Sequence, residues 1–127
     1  MSKPTLGIIG GGQLGSMLSI AAKKLEIKTV IFCDNLDAPA QKFSDHFIHG
    51  SYDDIKKINE FLNKTDVITY EFENIPYQTL NTINKSKPVL PKPSVNRIVQ
   101  HRLAEKDFIN KLNIRTTMYS SVEDKSE

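Results

Sequence analysis

The sequence predicts an α/β fold in which a parallel β-sheet is flanked by helices. Three observations predict it: short apolar segments alternate with amphipathic stretches, a glycine-rich turn joins the first pair, and the pattern then repeats. Strand, helix and strand in this order form a βαβ unit, with parallel strands and a right-handed crossover. Hydrophobic residues make up 39% of the chain and charged residues 25%, which is typical of a soluble globular domain rather than a disordered chain.

The first βαβ unit occupies residues 5–33. Residues 5–9 are apolar and lead into three glycines, which is typical of a buried strand. Residues 28–33 are apolar and β-branched, which predicts the second strand. Between them an apolar stripe with spacings of three and four predicts a helix; it consists of Leu14, Met17, Leu18, Ala21, Ala22 and Leu25.

The same order of elements then repeats. Residues 47–49 predict a short strand, and Asp53 and Asp54 open a helix, because acidic side chains are favourable at its positive end. Residues 66–70 predict a fourth strand, and Pro76 suits the first turn of the next helix. The prolines within residues 87–91 indicate an extended segment at the edge of the sheet.

The pattern changes at Pro93, which begins a helix. A further helix is predicted over about residues 102–112, and residues 116–119 predict the beginning of a strand. A polar tail follows, and a strand without a partner is an unusual end for a domain, so we expect the chain to be truncated. We therefore assign residues 1–93 to a sheet domain, and residues 94–127 to linker helices and the first strand of a second domain.

The composition argues against several classes of protein. Seventeen basic against fifteen acidic side chains leave a net charge of +2, too small and scattered for a nucleic-acid surface. No segment approaches the roughly 20 apolar residues that span a bilayer. The single cysteine, Cys33, and the lack of a signal-peptide pattern favour the cytoplasm. His46, His49 and His101 show no metal-ligand spacing, so we expect no metal site.

Gly10, Gly12 and Gly15 form a G-x-G-x-x-G pattern between the first strand and the first helix. Glycine permits a tight turn and a close approach of ligand to backbone, and the free amides of the helix favour an anionic group. Asp34 ends the second strand, where a dinucleotide-binding protein places its ribose-binding acid. Alone, the pattern supports an NAD(P)-binding domain of an oxidoreductase. The glycines could also serve only tight packing, and Asp34 only a turn.

Four segments together indicate a different family. They are residues 10–18, residues 37–40, residues 67–75 with the acidic Glu71-Phe72-Glu73-Asn74, and residues 100–106 continued at 112–116. In their order and spacing they resemble N5-carboxyaminoimidazole ribonucleotide synthetase, an ATP-grasp carboxylase of purine biosynthesis, over essentially the whole chain. The acidic segment and the last segment are more specific than the glycine loop.

The resemblance implies a Rossmann-like, pre-ATP-grasp sheet domain that binds the ribonucleotide, followed by the start of an ATP-grasp domain. Enzymes of this family are ligases that convert 5-aminoimidazole ribonucleotide, bicarbonate and ATP to N5-carboxyaminoimidazole ribonucleotide, ADP and phosphate. We therefore expect ATP and Mg²⁺ as cofactors of the full-length enzyme, with their sites mostly outside this chain. We also expect a homodimer of the full-length enzyme, no nucleic-acid or membrane partner, and no activity of the chain alone.

The resemblance also implies site residues. Arg102 matches an arginine that reaches an ATP phosphate, where its charged fork suits bidentate contact. In a strand, residues 71 and 73 face the same side, so both carboxylates could meet one ligand. No catalytic residue is assigned within the chain. The residues assigned to the ribonucleotide are Gly12, Gln13, Leu14, Glu71 and Glu73.

Two positions depart from the family pattern. Ser16 stands where arginine is usual after the glycine loop, and His101 where aspartate is common. The loss of a cation beside the glycine loop could weaken the contact with the ribonucleotide or shift it to backbone amides. Two alternatives stay open at this point: the NAD(P)-binding domain, and a non-catalytic nucleotide-binding module.

Overall fold

A computed structural model describes residues 3–124 and confirms the predicted α/β fold. A short 3₁₀ helix, Pro39–Lys42, lies between the second and third strands and was not predicted. The strands are β1 (Leu6–Ile9), β2 (Thr29–Cys33), β3 (His46–His49) and β4 (Val67–Tyr70), and the helices are α1 (Gln13–Lys24), α2 (Ile55–Lys64), α3 (Tyr77–Asn84), α4 (Pro93–Val99) and α5 (Arg102–Lys111).

The four strands form one parallel sheet in the order β3-β2-β1-β4. In its centre Ile8 pairs with Ile31 on one side and with Thr69 on the other. Val89 adds an isolated parallel bridge to Ile68, so the proline-containing segment lies at the edge of the sheet, as predicted. Parallel strands align their carboxyl ends, and the loops that follow β1, β2 and β4 therefore meet at one edge of the sheet.

The core is larger on one side of the sheet than on the other. Helices α2 and α3 contribute to a large cluster, in which the rings of Phe32 and Phe61 lie 5.6 Å apart. A smaller cluster joins Ile8 and Ile31 to Ala38 and its neighbours around the 3₁₀ helix. Asp54 caps α2 by accepting hydrogen bonds from the amides of the first turn, as the sequence predicts.

Of the apolar stripe predicted for α1, only Ala22 belongs to the face that is buried. Leu14, Met17, Leu18 and Leu25 are 38–63% exposed. The helix instead buries small residues, namely Gly15, Ser16, Ser19 and Ala22. Small side chains let the helix backbone lie close to the sheet, so residue size rather than hydrophobicity decides which face is buried.

The predicted strand over residues 116–119 is wrong. These residues have no regular secondary structure, and Met118 is fully exposed. A strand needs a neighbour for its backbone donors and acceptors, and no strand of the described residues lies beside this segment. The predicted boundary at residue 93 stays a prediction; Asn96, just beyond it, is buried and bonded to the carbonyl of Ile75 in the sheet domain.

Candidate functional site

The glycine loop is closed by an acidic side chain from the neighbouring strand end. Glu71 follows β4, and its two carboxylate oxygens accept hydrogen bonds from the amides of Gly12 and Gly15, each at 2.7 Å. Both bonds are charge-assisted and lie at the positive N-terminal end of α1. The place that an external anion occupies in a phosphate-binding loop is therefore taken by a carboxylate of the protein itself.

The motif glycines are required by this close approach. A Cβ on Gly10 would overlap the side chain of Glu71, and Gly10 also has a φ of 99°, which an L side chain rarely adopts. A Cβ on Gly12 would lie 2.7 Å from Glu71 Oε1. A Cβ on Gly15 would lie 2.9 Å from the carbonyl oxygen of Gly10. The G-x-G-x-x-G pattern here accommodates a half-buried contact with Glu71, which the sequence did not reveal.

Two backbone amides at the start of α1 bond neither to a helix carbonyl nor to Glu71. An α-helix leaves its first four amides without an intrahelical acceptor, and Glu71 takes two of the four. The other two belong to Gln13 and Leu14, which are two of the five residues assigned to the ribonucleotide. Both side chains are exposed, so a ligand can approach this end of the helix from solvent.

A cleft of about 400 Å³ lies beside this helix start. Its walls are the exposed stripe of α1 on one side and the end of β4 on the other. Leu14 and Glu71 both line it, so the structure brings these two predicted residues together. The complete lining is Leu14, Met17, Leu18, Ala21, Tyr70 and Glu71.

A smaller cleft of about 200 Å³ lies on the opposite side of the loop, towards β2. Here the 3₁₀ helix closes over the loop: the Ala40 amide donates to the Gly11 carbonyl at 3.0 Å, and a Cβ on Gly11 would lie 2.7 Å from that of Ala38. A dinucleotide would have to pass between the glycine loop and Asp34 on this side. The internal carboxylate and the closed wall both disfavour the NAD(P) interpretation.

Tyr52 lines the floor of the smaller cleft. Its hydroxyl lies 3.9 Å from the sulfur of Cys33, and the side chain is 8% exposed. Burial, followed by the proximity of Cys33 and Asp34, raises the pKa of Tyr52 well above its usual range. The hydroxyl therefore stays protonated across the physiological range of pH. Cys33 is buried, as predicted, at 5% exposure.

The expected pairing of Glu71 with Glu73 rested on a wrong premise. Strand β4 ends at Tyr70, and residues 71–75 form bends and turns rather than a strand. The alternation of strand side chains therefore does not apply to them. Glu71 is half-buried against the glycine loop, whereas Glu73 is exposed. The convergence of Gln13, Glu71 and Glu73 on one ligand stays a prediction.

Arg102 lies apart from the glycine loop, at the start of α5. It forms a 2.6 Å ion pair with Glu105 on the same helix, and its side chain is 80% exposed. A cleft of about 580 Å³ is lined by Arg102, Lys106 and the segment around Tyr119. Lys106 lies one turn after Arg102 and 5.4 Å from the centre of the Tyr119 ring. Sequence reasoning did not assign Lys106 to a site, although its spacing of four places it on the helix face of Arg102.

His101 caps α5. Its Nδ1 accepts a hydrogen bond from the Ala104 amide at 3.3 Å, so the imidazole performs the role for which aspartate is better suited. Ser16, the other departure from the family pattern, is 7% exposed and donates to the Gly12 carbonyl at 3.0 Å. Both replacements therefore have local structural roles.

Within residues 3–124, no three His, Cys, Asp or Glu side chains lie close enough together to bind a metal ion. In the same range, no helix has the length and apolar character needed to cross a membrane.

The fold and the loop define the class of protein: an α/β domain with a parallel sheet, whose glycine turn is closed internally by a carboxylate. Comparison with known proteins gives the family. The model of the ribonucleotide synthetase preATP-grasp domain matches residues 3–100. The chain therefore belongs to this family.

Relatives and solved structures agree with this assignment. An N5-carboxyaminoimidazole ribonucleotide synthase of Brucella melitensis is 41% identical over 94% of this chain and 33% of its own length. The Staphylococcus aureus N5-carboxyaminoimidazole synthetase structure is 36% identical and has a TM-score of 0.86, over 97% of this chain and 34% of that one. The structure of a synthase from Aspergillus clavatus, in complex with ADP and 5-aminoimidazole ribonucleotide, is 27% identical and has a TM-score of 0.78, over 88% of this chain and 30% of that one. The chain thus spans about a third of the length of these relatives.

Proposed function

We propose that this chain forms the ribonucleotide-binding, N-terminal part of a cytoplasmic ligase that converts 5-aminoimidazole ribonucleotide, bicarbonate and ATP to N5-carboxyaminoimidazole ribonucleotide, ADP and phosphate. The observation that carries the proposal is the match with synthases of that name along 94–97% of the chain. The internally closed glycine loop supports it, because it disfavours the rival dinucleotide site. The full-length enzyme would be a homodimer.

The start of α1 would receive the ribonucleotide. Amides of Gln13 and Leu14 are free of intrahelical acceptors and point from a positive helix end, which suits an electron-rich group of the ligand. Glu71 would hold this turn in its conformation before the ligand arrives. Its carboxylate oxygens can each accept a second hydrogen bond, so they could also meet an amine or hydroxyl of the ligand. Exposed Glu73 would add a second acceptor at the rim.

The reaction would proceed by phosphoryl transfer followed by carboxylation. Bicarbonate oxygen attacks the γ-phosphate of ATP, giving ADP and carboxyphosphate; the exocyclic amine then bonds to the carboxyl carbon as phosphate leaves and the amine loses a proton. Carboxyphosphate is short-lived in water, so positioning and exclusion of water are the main tasks of the protein. Arg102, with Lys106 beside it, would contribute positive charge near the ATP phosphates. Mg²⁺ would neutralise charge on the ATP phosphates, and the residues that bind it would lie beyond the described residues.

The test is product formation by the full-length protein that carries this sequence. With ¹³C-bicarbonate, ATP and 5-aminoimidazole ribonucleotide, we expect a ¹³C carbamate signal and one ADP per product. Omission of ATP or of the ribonucleotide should abolish both. Hydride transfer to or from NAD(P), or ATP hydrolysis at a rate that does not depend on the ribonucleotide, would contradict the proposal. The 127-residue chain alone should show no ribonucleotide-dependent ATP hydrolysis; silence of both forms would favour a non-catalytic nucleotide-binding module.

A further inference from the structure

The loop that follows β4 is tied to helix α4 by two side-chain amides. Gln100 Nε2 donates to the carbonyl oxygen of Glu73 at 2.7 Å and to that of Ile75 at 2.5 Å. Asn96 Nδ2 donates to the same Ile75 carbonyl at 3.0 Å. Asn96 and Ile75 are fully buried, and Gln100 is half-buried. Three hydrogen bonds therefore join two segments about 25 residues apart in sequence.

These bonds supply partners that the loop backbone would otherwise lack. Residues 71–75 are neither helix nor strand, so their carbonyls have no partner in a regular ladder. The amide group of Gln100 has two protons, and the two carbonyls use both of them. The loop that begins with Glu71 is thus fixed at its far end by Gln100, just as it is fixed at its near end by the glycine amides.

Gln100 also lies at the start of the segment that leads to Arg102. It ends α4, His101 caps α5, and Arg102 is the first residue of α5. The two segments that are most specific to the family, residues 71–74 and 100–106, are therefore in direct contact through one side chain.

We infer that Gln100 is a positioning residue for the ribonucleotide. It holds the acidic loop 71–75 at a fixed position relative to the linker helices, so that Glu71 and Glu73 face the ligand. This inference rests on the proposed function. Glutamine is specifically suited to the role, since glutamate at this position would direct acceptor oxygens at the two carbonyls. Asn96 supports the same carbonyl from inside the core.

The test compares Gln100→Glu with Gln78→Glu in the full-length protein. Gln78 is an exposed residue of α3, so its substitution makes the same chemical change without touching the loop. For Gln100→Glu we expect the KM for the ribonucleotide to rise about tenfold, because the two hydrogen bonds are lost and the new carboxylate repels the carbonyl oxygens that it faces. The KM for ATP should change less than twofold. Gln78→Glu should leave both constants unchanged.

A second variant guards against misfolding. Gln100→Met is neutral, similar in length and without donors, and should raise the ribonucleotide KM about threefold to fivefold, in line with the loss of hydrogen bonds without added repulsion. In the 127-residue chain, hydrogen exchange of the amides of residues 71–75 should become faster in Gln100→Met than in Gln78→Met. An unchanged ribonucleotide KM in both Gln100 variants, or equal rises in both Michaelis constants, would overturn the inference. Failure of the wild type to form product would instead overturn the proposed function, and the inference with it.

Discussion

The contact between Glu71 and the glycine loop makes a quantitative prediction for Glu71→Gln. The carboxylate accepts two charge-assisted bonds, each at 2.7 Å. Such bonds contribute about 1.5–3 kcal/mol apiece. Glutamine has nearly the same shape and keeps one acceptor, but it turns an amino group towards the other amide. One bond is therefore lost and one donor faces another donor.

We expect the free energy of unfolding to fall by about 1.5–2 kcal/mol, the lower part of that range, because Glu71 is half-buried and water can solvate the orphaned amide. For a chain of this size, that corresponds to a decrease in Tm of roughly 6 °C. Urea unfolding of the 127-residue chain, followed by far-ultraviolet circular dichroism, measures the change.

Glu73→Gln is the matched control for this experiment. It makes the same substitution two residues further on, at an exposed side chain, and should change the free energy of unfolding by less than about 0.5 kcal/mol. Equal effects of the two substitutions, or no effect of Glu71→Gln, would refute the idea that Glu71 closes the loop. A loss confined to Glu71→Gln would support it.

Three further predictions concern single residues. Gly15→Ala should destabilise the chain by about 1–3 kcal/mol in urea unfolding, because the new Cβ would lie 2.9 Å from the carbonyl oxygen of Gly10; an unchanged free energy of unfolding would contradict this. His101→Asp should increase the free energy of unfolding by about 0.5 kcal/mol, and so raise Tm, because aspartate is the better N-cap. A lowered Tm would show that the imidazole has another role. In the full-length protein, Arg102→Ala should raise the KM for ATP about tenfold, because a charged hydrogen bond is lost, and should raise the KM for the ribonucleotide less than twofold. Equal rises in the two constants would contradict the assignment of Arg102 to ATP.

Much of the fold could be predicted because strand and helix patterns are local. The apolar runs, the acidic cap of α2 and the prolines of the edge segment each act within a few residues, and the structure confirms them. The prediction failed where size or long-range contact decides. The packed face of α1 is set by how closely Gly15 and its small neighbours approach the sheet, which an apolar stripe does not reveal.

The site could be predicted only in part, for the same physical reason. The glycine pattern indicates a tight turn but not what fills it, and the carboxylate that fills it comes from 56–59 residues further along the chain. Likewise, the bond from Gln100 to the carbonyl of Glu73 spans 27 residues. The resemblance to a family brought Glu71, Arg102 and their segments to attention, although only the structure shows how those segments touch.

We propose that the ribonucleotide binds at the start of α1, in the cleft lined by Leu14 and Glu71 rather than towards Asp34. Amide chemical shifts of the ¹⁵N-labelled 127-residue chain, measured during titration with 5-aminoimidazole ribonucleotide at millimolar concentration, test it most directly. We predict saturable shifts at Gly12, Gln13 and Leu14 that spread to Glu71, with Asp34 unaffected and no response to NAD⁺. Shifts centred on Asp34, or a start of α1 that does not respond to the ribonucleotide, would show that the ligand binds elsewhere.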